Sequence, residues 1–353
     1  MAIALLLAVL LSAIDRDGVT ERWLQDTRDL INSKPASGDI HIVEIDAKSL
    51  AKLNRWPWPR RHHAKLIDRL AAAGAEQIVF DVDFSSQSAD AEDRALAAAI
   101  ARAPGKVVLP TFRQPATNGD SAVEVENLPL AMLREHAFLG SVNVRADRGG
   151  QINNYPYGSI TAATPRPSIG ALLANTSGPV DQSFALDHSI DVATIPRHSF
   201  IDIVEGRFDP KAIKGKRMLV GATAIEIGDR YATARFSVVP GVVIQALAAE
   251  TLLANAAIPD FGAWPLLIIA VAIVLFAPQL FGRREAAGGA LILLTAIALF
   301  ACATLGERLG IAHLDLAPAM LFLMSAAIAH HVVVVIQKLS TARNVDRELA
   351  CPI

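Results

Sequence analysis

The chain has 353 residues, two cysteines and a net charge of −2, with 52% hydrophobic residues and a mean hydropathy of +0.35. Near-neutral charge excludes the basic face that nucleic-acid binding requires, so no nucleic-acid partner is expected. The hydropathy exceeds what one soluble core demands, and its excess sits at residues 1–14 and from residue 264 onward.

Residues 1–14 (MAIALLLAVLLSAI) are uncharged, short for a ~30 Å hydrocarbon core, and preceded by no basic residue. They read as a membrane anchor whose beginning is missing or as a cleaved signal, and either exports the chain from residue 15 onward. From residue 39, β-branched runs alternate with helical stripes. Residues 39–46 (DIHIVEID) predict a strand closed by Asp46, and 60–73 a helix with Leu66, Ile67 and Leu70 on one face, stopped by Gly74. Residues 77–84 (QIVFDVDF) predict a second strand, 90–103 a second helix, and 106–109 a third strand. Such alternation needs crossover connections, hence an α/β fold with a parallel-type sheet and flanking helices. Residues 110–216, dense in Pro, Asn, Gly and Ser, predict a β-rich insertion of hairpins. Residues 217–223 (RMLVGAT) predict a late buried strand ending at Thr223, and 241–255 a helix introduced by Pro240. This domain, 15–260, contains neither Cys302 nor Cys351, so its stability rests on its core.

Three apolar segments come next, at 264–281, 286–305 and 316–336, each charge-free and long enough to cross or nearly cross a bilayer. Arg283 and Arg284 lie between the first two, while Lys338, Arg343 and Arg347 come after the third. Basic residues concentrate on the cytoplasmic side, which places 15–260 outside the cytoplasm and 337–353 inside. The expected organisation is multi-pass, with the lipid bilayer as first partner. Val335, Leu339, Ala342, Asp346 and Leu349 keep heptad spacing, the start of a linker helix suited to a homodimer.

The stretch Trp56-Pro57-Trp58-Pro59-Arg60 stands between the first strand and its helix. Each proline pushes its predecessor toward extended geometry, giving a stiff ribbon near the carboxyl ends of parallel strands, where open α/β sheets bind ligands. Two readings stand: the rings wedge helix onto sheet, or Trp58 and Arg60 touch a ligand. Asp46, Asp81 and Asp83 all close strands at the same edge, as does Thr223. These carboxylates either cap loops and helix N-termini or hold a cation or polar ligand. The Asp81-Val82-Asp83 spacing also resembles the first motif of haloacid-dehalogenase-type phosphatases, which implies a nucleophile and a general acid. That chemistry further needs a lysine and a downstream acidic pair for Mg²⁺. The late strand ends instead in Gly221-Ala222-Thr223, and Asp187 and Asp229 are not placed to supply the pair. His62 and His63 are adjacent and project roughly 100° apart on a helix. His330 and His331 have no partner histidine in the other apolar segments, so polar helix packing is expected of them. No catalytic residue, metal or cofactor is expected.

Together, DIHIVEID at 39–46, Trp56-Pro57-Trp58-Pro59-Arg60, Gly74-Ala75, the run 78–84, Val220-Gly221-Ala222-Thr223, Pro240-Gly241-Val242 and Gln245-Ala246 resemble CHASE2, an extracytoplasmic sensor domain of bacterial signalling proteins. The resemblance spans roughly 15–340 and extends to the three apolar segments directly after the domain. It implies a non-enzymatic sensor in the bacterial inner membrane that receives an unknown small-molecule or envelope ligand. It also implies a cytoplasmic output module, absent from this chain, with kinase, cyclase or cyclic-di-GMP activity. The expected ligand-binding residues are Asp46, Trp58, Arg60, Asp81, Asp83 and Thr223. The alternative is a membrane-tethered phosphate-ester hydrolase using Asp81 and Asp83.

Overall fold

The computed structural model describes residues 6–11, 15, 18–54, 56–115, 124–147, 149–180, 182–233, 235–254, 261–281 and 285–349. Arg283, Arg284, Cys351 and much of the 1–14 segment lie outside them. Contacts divide the chain into two units, Ser33–Ala257 and the combination of Met1–Asn32 with Ile258–Ile353. Helix α1 (Val19–Ile31) thus groups with the apolar helices, although the sequence pattern assigns everything from residue 15 to the exported domain.

The sheet unit starts with β1 (Ile40–Ile45), a short α2 (Ala47–Leu53) and α3 (Arg61–Ala72), followed by β2 (Gln77–Asp81), α4 (Asp90–Arg102) and β3 (Val107–Pro115). Helix α2 carries no sequence-level expectation, and it exists because Asp46 accepts the Ser49 N–H at 2.8 Å and so starts a turn directly after the strand. Strand β2 stops at Asp81, shorter than expected, while β3 runs well past residue 109. The insertion supplies β4 (Glu124–Asn127), β5 (Phe138–Ser141), α5 (Ile169–Leu173), β6 (Arg197–Ser199) and α6 (Phe200–Glu205). The chain closes with β7 (Arg217–Ala222), a hairpin of β8 (Arg230–Thr233) and β9 (Ser237–Pro240), and α7 (Gly241–Leu253).

The sheet order is β6-β1-β7-β2-β3-β4, with β5 also paired to β3. Every pairing is parallel except that of β4 with the end of β3. The insertion is therefore more than hairpins: it builds both edges of the main sheet. Hairpins occur as well, such as Gly158–Thr161 with Thr164–Pro167.

Side chains alternate across each strand and sort into two cores. Ile40, Ile42, Val79, Val108 and Leu219 pack beneath α5 and α7 on one face. Val43, Ile45, Phe80, Leu109 and Val220 pack beneath α3, α4 and α6 on the other. Helix α7 is buried from Gly241 through Leu252, a core helix with no solvent face. A Cβ on Gly221 of β7 would stand 2.6 Å from Val242, so only glycine lets the start of α7 come this close.

The helical unit contains α8 (Trp264–Phe281), α9 (Glu285–Arg308) and α10 (Ala317–Leu349). Three crossings are expected from the sequence; among the described residues two segments, Gly288–Arg308 and Ala317–Arg343, are long and apolar enough to span a bilayer, while the apolar part of α8, Trp264–Phe276, is shorter. Helix α10 continues unbroken past residue 336 through the expected linker. Ala270, Ala303 and Ala319 share the interior with Leu299, Phe322 and Leu323, small side chains that let helices approach. The His330 ring fills the space beside Gly288, where a Cβ would meet it at 2.9 Å. Leu24 of α1 joins this core.

A cleft at the carboxyl ends of the central strands

After Asp81 the chain has no helix until Asp90, so the segment following β2 remains an open loop. Beyond β7 it turns through Ile227, Gly228 and Asp229 into the β8–β9 hairpin, and α7 begins immediately afterwards. Between these segments lies a cleft of about 490 Å³, at the location favoured for ligands in open α/β sheets. Its walls include Trp56, Asp81, Asp83, Arg113, Asn143, Asp229, Tyr231 and Gln245.

The electrostatics are lopsided. Among the described residues the Asp81 carboxylate has no hydrogen-bond or ion-pair partner. Withdrawal from water, reinforced by the charge of Asp229, pushes its carboxyl up to about 7. The same burial, with Asp229 and then Asp81, raises the Tyr231 hydroxyl to about 12. Arg113, the basic side chain on the wall, is paired with Glu126 at 3.0 Å. Asn143 fixes the backbone there, accepting the Arg113 N–H and donating to its carbonyl, both at 3.0 Å. Among the described residues three carboxylates thus face the cavity against one arginine, which is already paired.

A buried network continues behind the wall. Tyr155, fully buried, donates its hydroxyl proton to Gln245 Oε1 and accepts the Gly170 N–H at 3.3 Å. Burial raises the Tyr155 hydroxyl above its ordinary value, so it stays a donor. Gln245 Nε2 donates to the Val142 carbonyl at 3.0 Å. One side chain of α7 is therefore held simultaneously by the insertion and by the cleft wall.

The six residues singled out from the sequence do not converge. Asp81 and Asp83 line the cleft, with Asp83 exposed and accepting the Ser85 N–H at 2.7 Å. Asp46 is consumed as a cap, accepting from Ser49 N–H and from the hydroxyls of Ser49 and Ser199. Arg60 points into the fold: it pairs with Asp93 at 2.7 Å, donates to the Ser86 carbonyl and lies over the Phe84 ring. Trp58 is 4% exposed and packs edge-on against Trp56 and alongside Phe200 and His63. Burial drives the imidazole of His63 down to about 3, which makes it a neutral packing ring. Thr223 contributes backbone bonds to Ile45 and Arg230 and does not line the cavity.

In their place come Trp56, Arg113, Asn143, Asp229, Tyr231 and Gln245. Asp229, which the sequence reading sets aside, faces the same cavity as Asp81. Its signal is the Gly228-Asp229 turn directly beyond the late strand. Among the described residues no three His, Cys, Asp or Glu side chains come together to hold a metal, and no lysine lines the cleft. Among the described residues the lysine and acidic pair a phosphatase requires do not stand with Asp81 and Asp83.

The family model of the CHASE2 domain matches residues 1–279. The chain belongs to the CHASE2 family. CHASE2 is an extracytoplasmic sensor domain, so the cleft lies in the part of the molecule devoted to detection. The match runs from before α1 into α8, so this CHASE2 sequence includes helices on both sides of the sheet unit. No curated protein and no solved structure matches the chain.

Proposed function

We propose that this CHASE2 protein is a membrane receptor whose ligand is a small cationic or hydrogen-bond-donating compound bound in the cleft. The observation that carries the reading is the Asp81–Asp229 pair: a partly buried carboxylate with a raised pKa shares an open cleft with an exposed one, and the arginine found on the wall among the described residues is already paired. A bound cation returns to Asp81 the stabilisation it lost with water and offsets the repulsion from Asp229, and the aromatic rings of Trp56 and Tyr231 suit the same charge. Gln245 supplies the relay, because it belongs both to the cleft wall and to α7, the helix that precedes α8 in the chain.

In this reading α8, α9 and α10 each cross the bacterial inner membrane, with the sheet unit outside. The chain acts as a homodimer joined along the extension of α10, and passes its state to a cytoplasmic output module with kinase, cyclase or cyclic-di-GMP activity. It performs no catalysis itself. A ligand preferring one of two states by ~2 kcal/mol is enough for a tens-fold bias.

The test is a thermal-shift series on the full chain in nanodiscs, with small mono- and diamines against carboxylates of equal size. The reading expects amines to raise the melting temperature and Asp229→Asn to abolish that rise while preserving the fold. Equal shifts from amines and carboxylates, or an undiminished rise in Asp229→Asn, would overturn it. Reporter fusions after residues 260 and 349 are expected in opposite compartments, and finding both in one compartment removes the receptor topology.

A further inference from the structure

Helix α1 has two faces of different character. Glu21, Leu24 and Arg28, spaced one helical turn apart, point inward. Arg28 is fully buried and pairs with Glu21 at 2.9 Å and with Glu307 near the end of α9 at 3.2 Å. Glu21 also accepts the N–H groups of Leu316 and Ala317, where its charge complements the N-terminal dipole of α10. Asn32 donates to the Thr304 carbonyl of α9 at 3.1 Å. These bonds fix α1 at the end of the bundle where α9 finishes and α10 begins. Helix α8 starts at that end too, since Phe261 donates to the His313 carbonyl and Asp315 to that of Gly262.

The opposite face of α1 carries Val19, Trp23 and Leu30 on one stripe interrupted by Asp26, and Trp23 is 66% exposed. Other exposed apolar groups occur at the same end of the bundle: Trp264, 72% exposed, at the start of α8, and Leu309 and Ile311 between α9 and α10. Two outward tryptophans at one end of an apolar bundle fit the pattern that marks a membrane–water boundary, where the indole ring sits in the apolar layer with its N–H toward water.

We propose that α1 is an interfacial helix, lying in the headgroup layer of the extracytoplasmic leaflet with Val19, Trp23 and Leu30 in contact with lipid. The proposal rests on the reading that α9 and α10 cross the bilayer, because their shared end defines the depth of α1. A second copy of the chain would also cover an apolar stripe, but Trp264, Leu309 and Ile311, on other segments at the same end of the bundle, are exposed as well. A bilayer boundary accommodates that whole rim, which no one docking face does. Glu21 and Arg28 point into the bundle, while the outward stripe is apolar apart from Asp26, whose carboxyl is pushed up by burial and held down by Arg22 beside it, so one partly buried acid is the polar group this surface-seated face carries.

The experiment uses the full chain carrying Cys302→Ser and Cys351→Ser, reconstituted into phosphatidylethanolamine–phosphatidylglycerol vesicles, with one nitroxide label per sample. Labels go at Trp23→Cys and Leu30→Cys, at Ile297→Cys in α9 to report spanning, and at Lys65→Cys on the exposed surface of the sheet unit. Power-saturation accessibility to oxygen and to a water-soluble nickel chelate is then read at each site. Positions 23 and 30 are expected to collide with oxygen as readily as a lipid-facing site, and with nickel about threefold less than position 65. Nickel access at 23 and 30 equal to that at 65, with 297 sealed in lipid, overturns the interfacial helix while leaving spanning intact. Spin–spin broadening at 23 that disappears on dilution with unlabelled chain assigns the stripe to a second copy, and equally overturns the proposal. Nickel access at 297 removes the spanning reading and the helix's depth with it.

Discussion

Asp46 and Asp81 both close parallel strands on the same edge of one sheet, yet their fates are opposite. Asp46 is followed at once by α2, whose first turn offers an N–H, and two serine hydroxyls complete its shell. Asp81 is followed by a loop that reaches no helix before Asp90, so among the described residues its carboxylate finds no donor and stays beside Asp229. The β1 side is sealed further by the Arg60–Asp93 pair and by Trp58 among Phe200 and His63. The β2 and β7 side opens as the cleft. A strand-ending aspartate is thus no functional signal by itself. The distance to the next helix N-terminus decides whether it becomes a cap or a cavity wall.

The sealed side is where substitution costs most. Arg60→Ala leaves Asp93 as an unpaired charge in a site 3% exposed, and is expected to lower stability by about 3–5 kcal/mol. Denaturant titration of the full chain measures this, and a loss below about 1 kcal/mol would show that water reaches Asp93 freely. Ligand affinity of the folded fraction is expected to match the parent, because neither partner lines the cleft.

The open side responds to pH. The Asp81 carboxyl sits at about 7 in the fold, above its ordinary 3.8. Its contribution to stability is fully present below about pH 4 and is lost as pH rises through about 7, since ionisation is easier in the unfolded chain. Asp81→Asn removes that dependence. The variant is expected to equal the parent near pH 4 and to exceed it by roughly 2 kcal/mol at about pH 8, about half the full linkage because the cleft admits some water. Parallel melting curves across that range would return Asp81 to ordinary solvent exposure.

Much of the architecture is legible in the sequence. The runs of Ile and Val at 40–45 and 78–80 and the stripe Leu66, Ile67, Leu70 mark strands and helices because burial repeats at periods of 2 and 3.6. The edge strands β5 and β6 are only partly legible: 140–144 and 199–204 read as short β-like pieces, but the strands lie at Phe138–Ser141 and Arg197–Ser199, Phe200–Glu205 is helix, and both strands gain their places from parallel neighbours distant in sequence. The site is half legible. Asp81 and Asp83 emerge from their strand, but Asp229, Tyr231 and Arg113 reach the cleft through long-range topology that no local pattern encodes. Trp58 and Arg60 mislead because aromatic and basic groups beside a strand end suit a wedge as well as a ligand mouth. Trp56, their immediate neighbour, is the member of that stretch that faces the cavity.

Smaller effects sharpen the contrast between cap and wall. Asp46→Ala is expected to cost about 1 kcal/mol, the ordinary value of an N-cap, with no change in ligand affinity. Asp83 separates the two roles within one residue. It is exposed, its carboxylate receives the Ser85 N–H, and it stands on the cleft wall. Asp83→Asn retains an oxygen that can accept that N–H, so stability is expected to stay within about 0.5 kcal/mol of the parent. The substitution nevertheless removes one negative charge from the cleft, so amine affinity is expected to fall about threefold at low salt and to converge with the parent at high salt, as an exposed charge is screened. Isothermal titration at two ionic strengths reads both numbers. Identical affinity in parent and variant at low salt would mean that the mouth of the cleft does no selecting, and would place recognition of the cation in the Asp81–Asp229 pair at its wall.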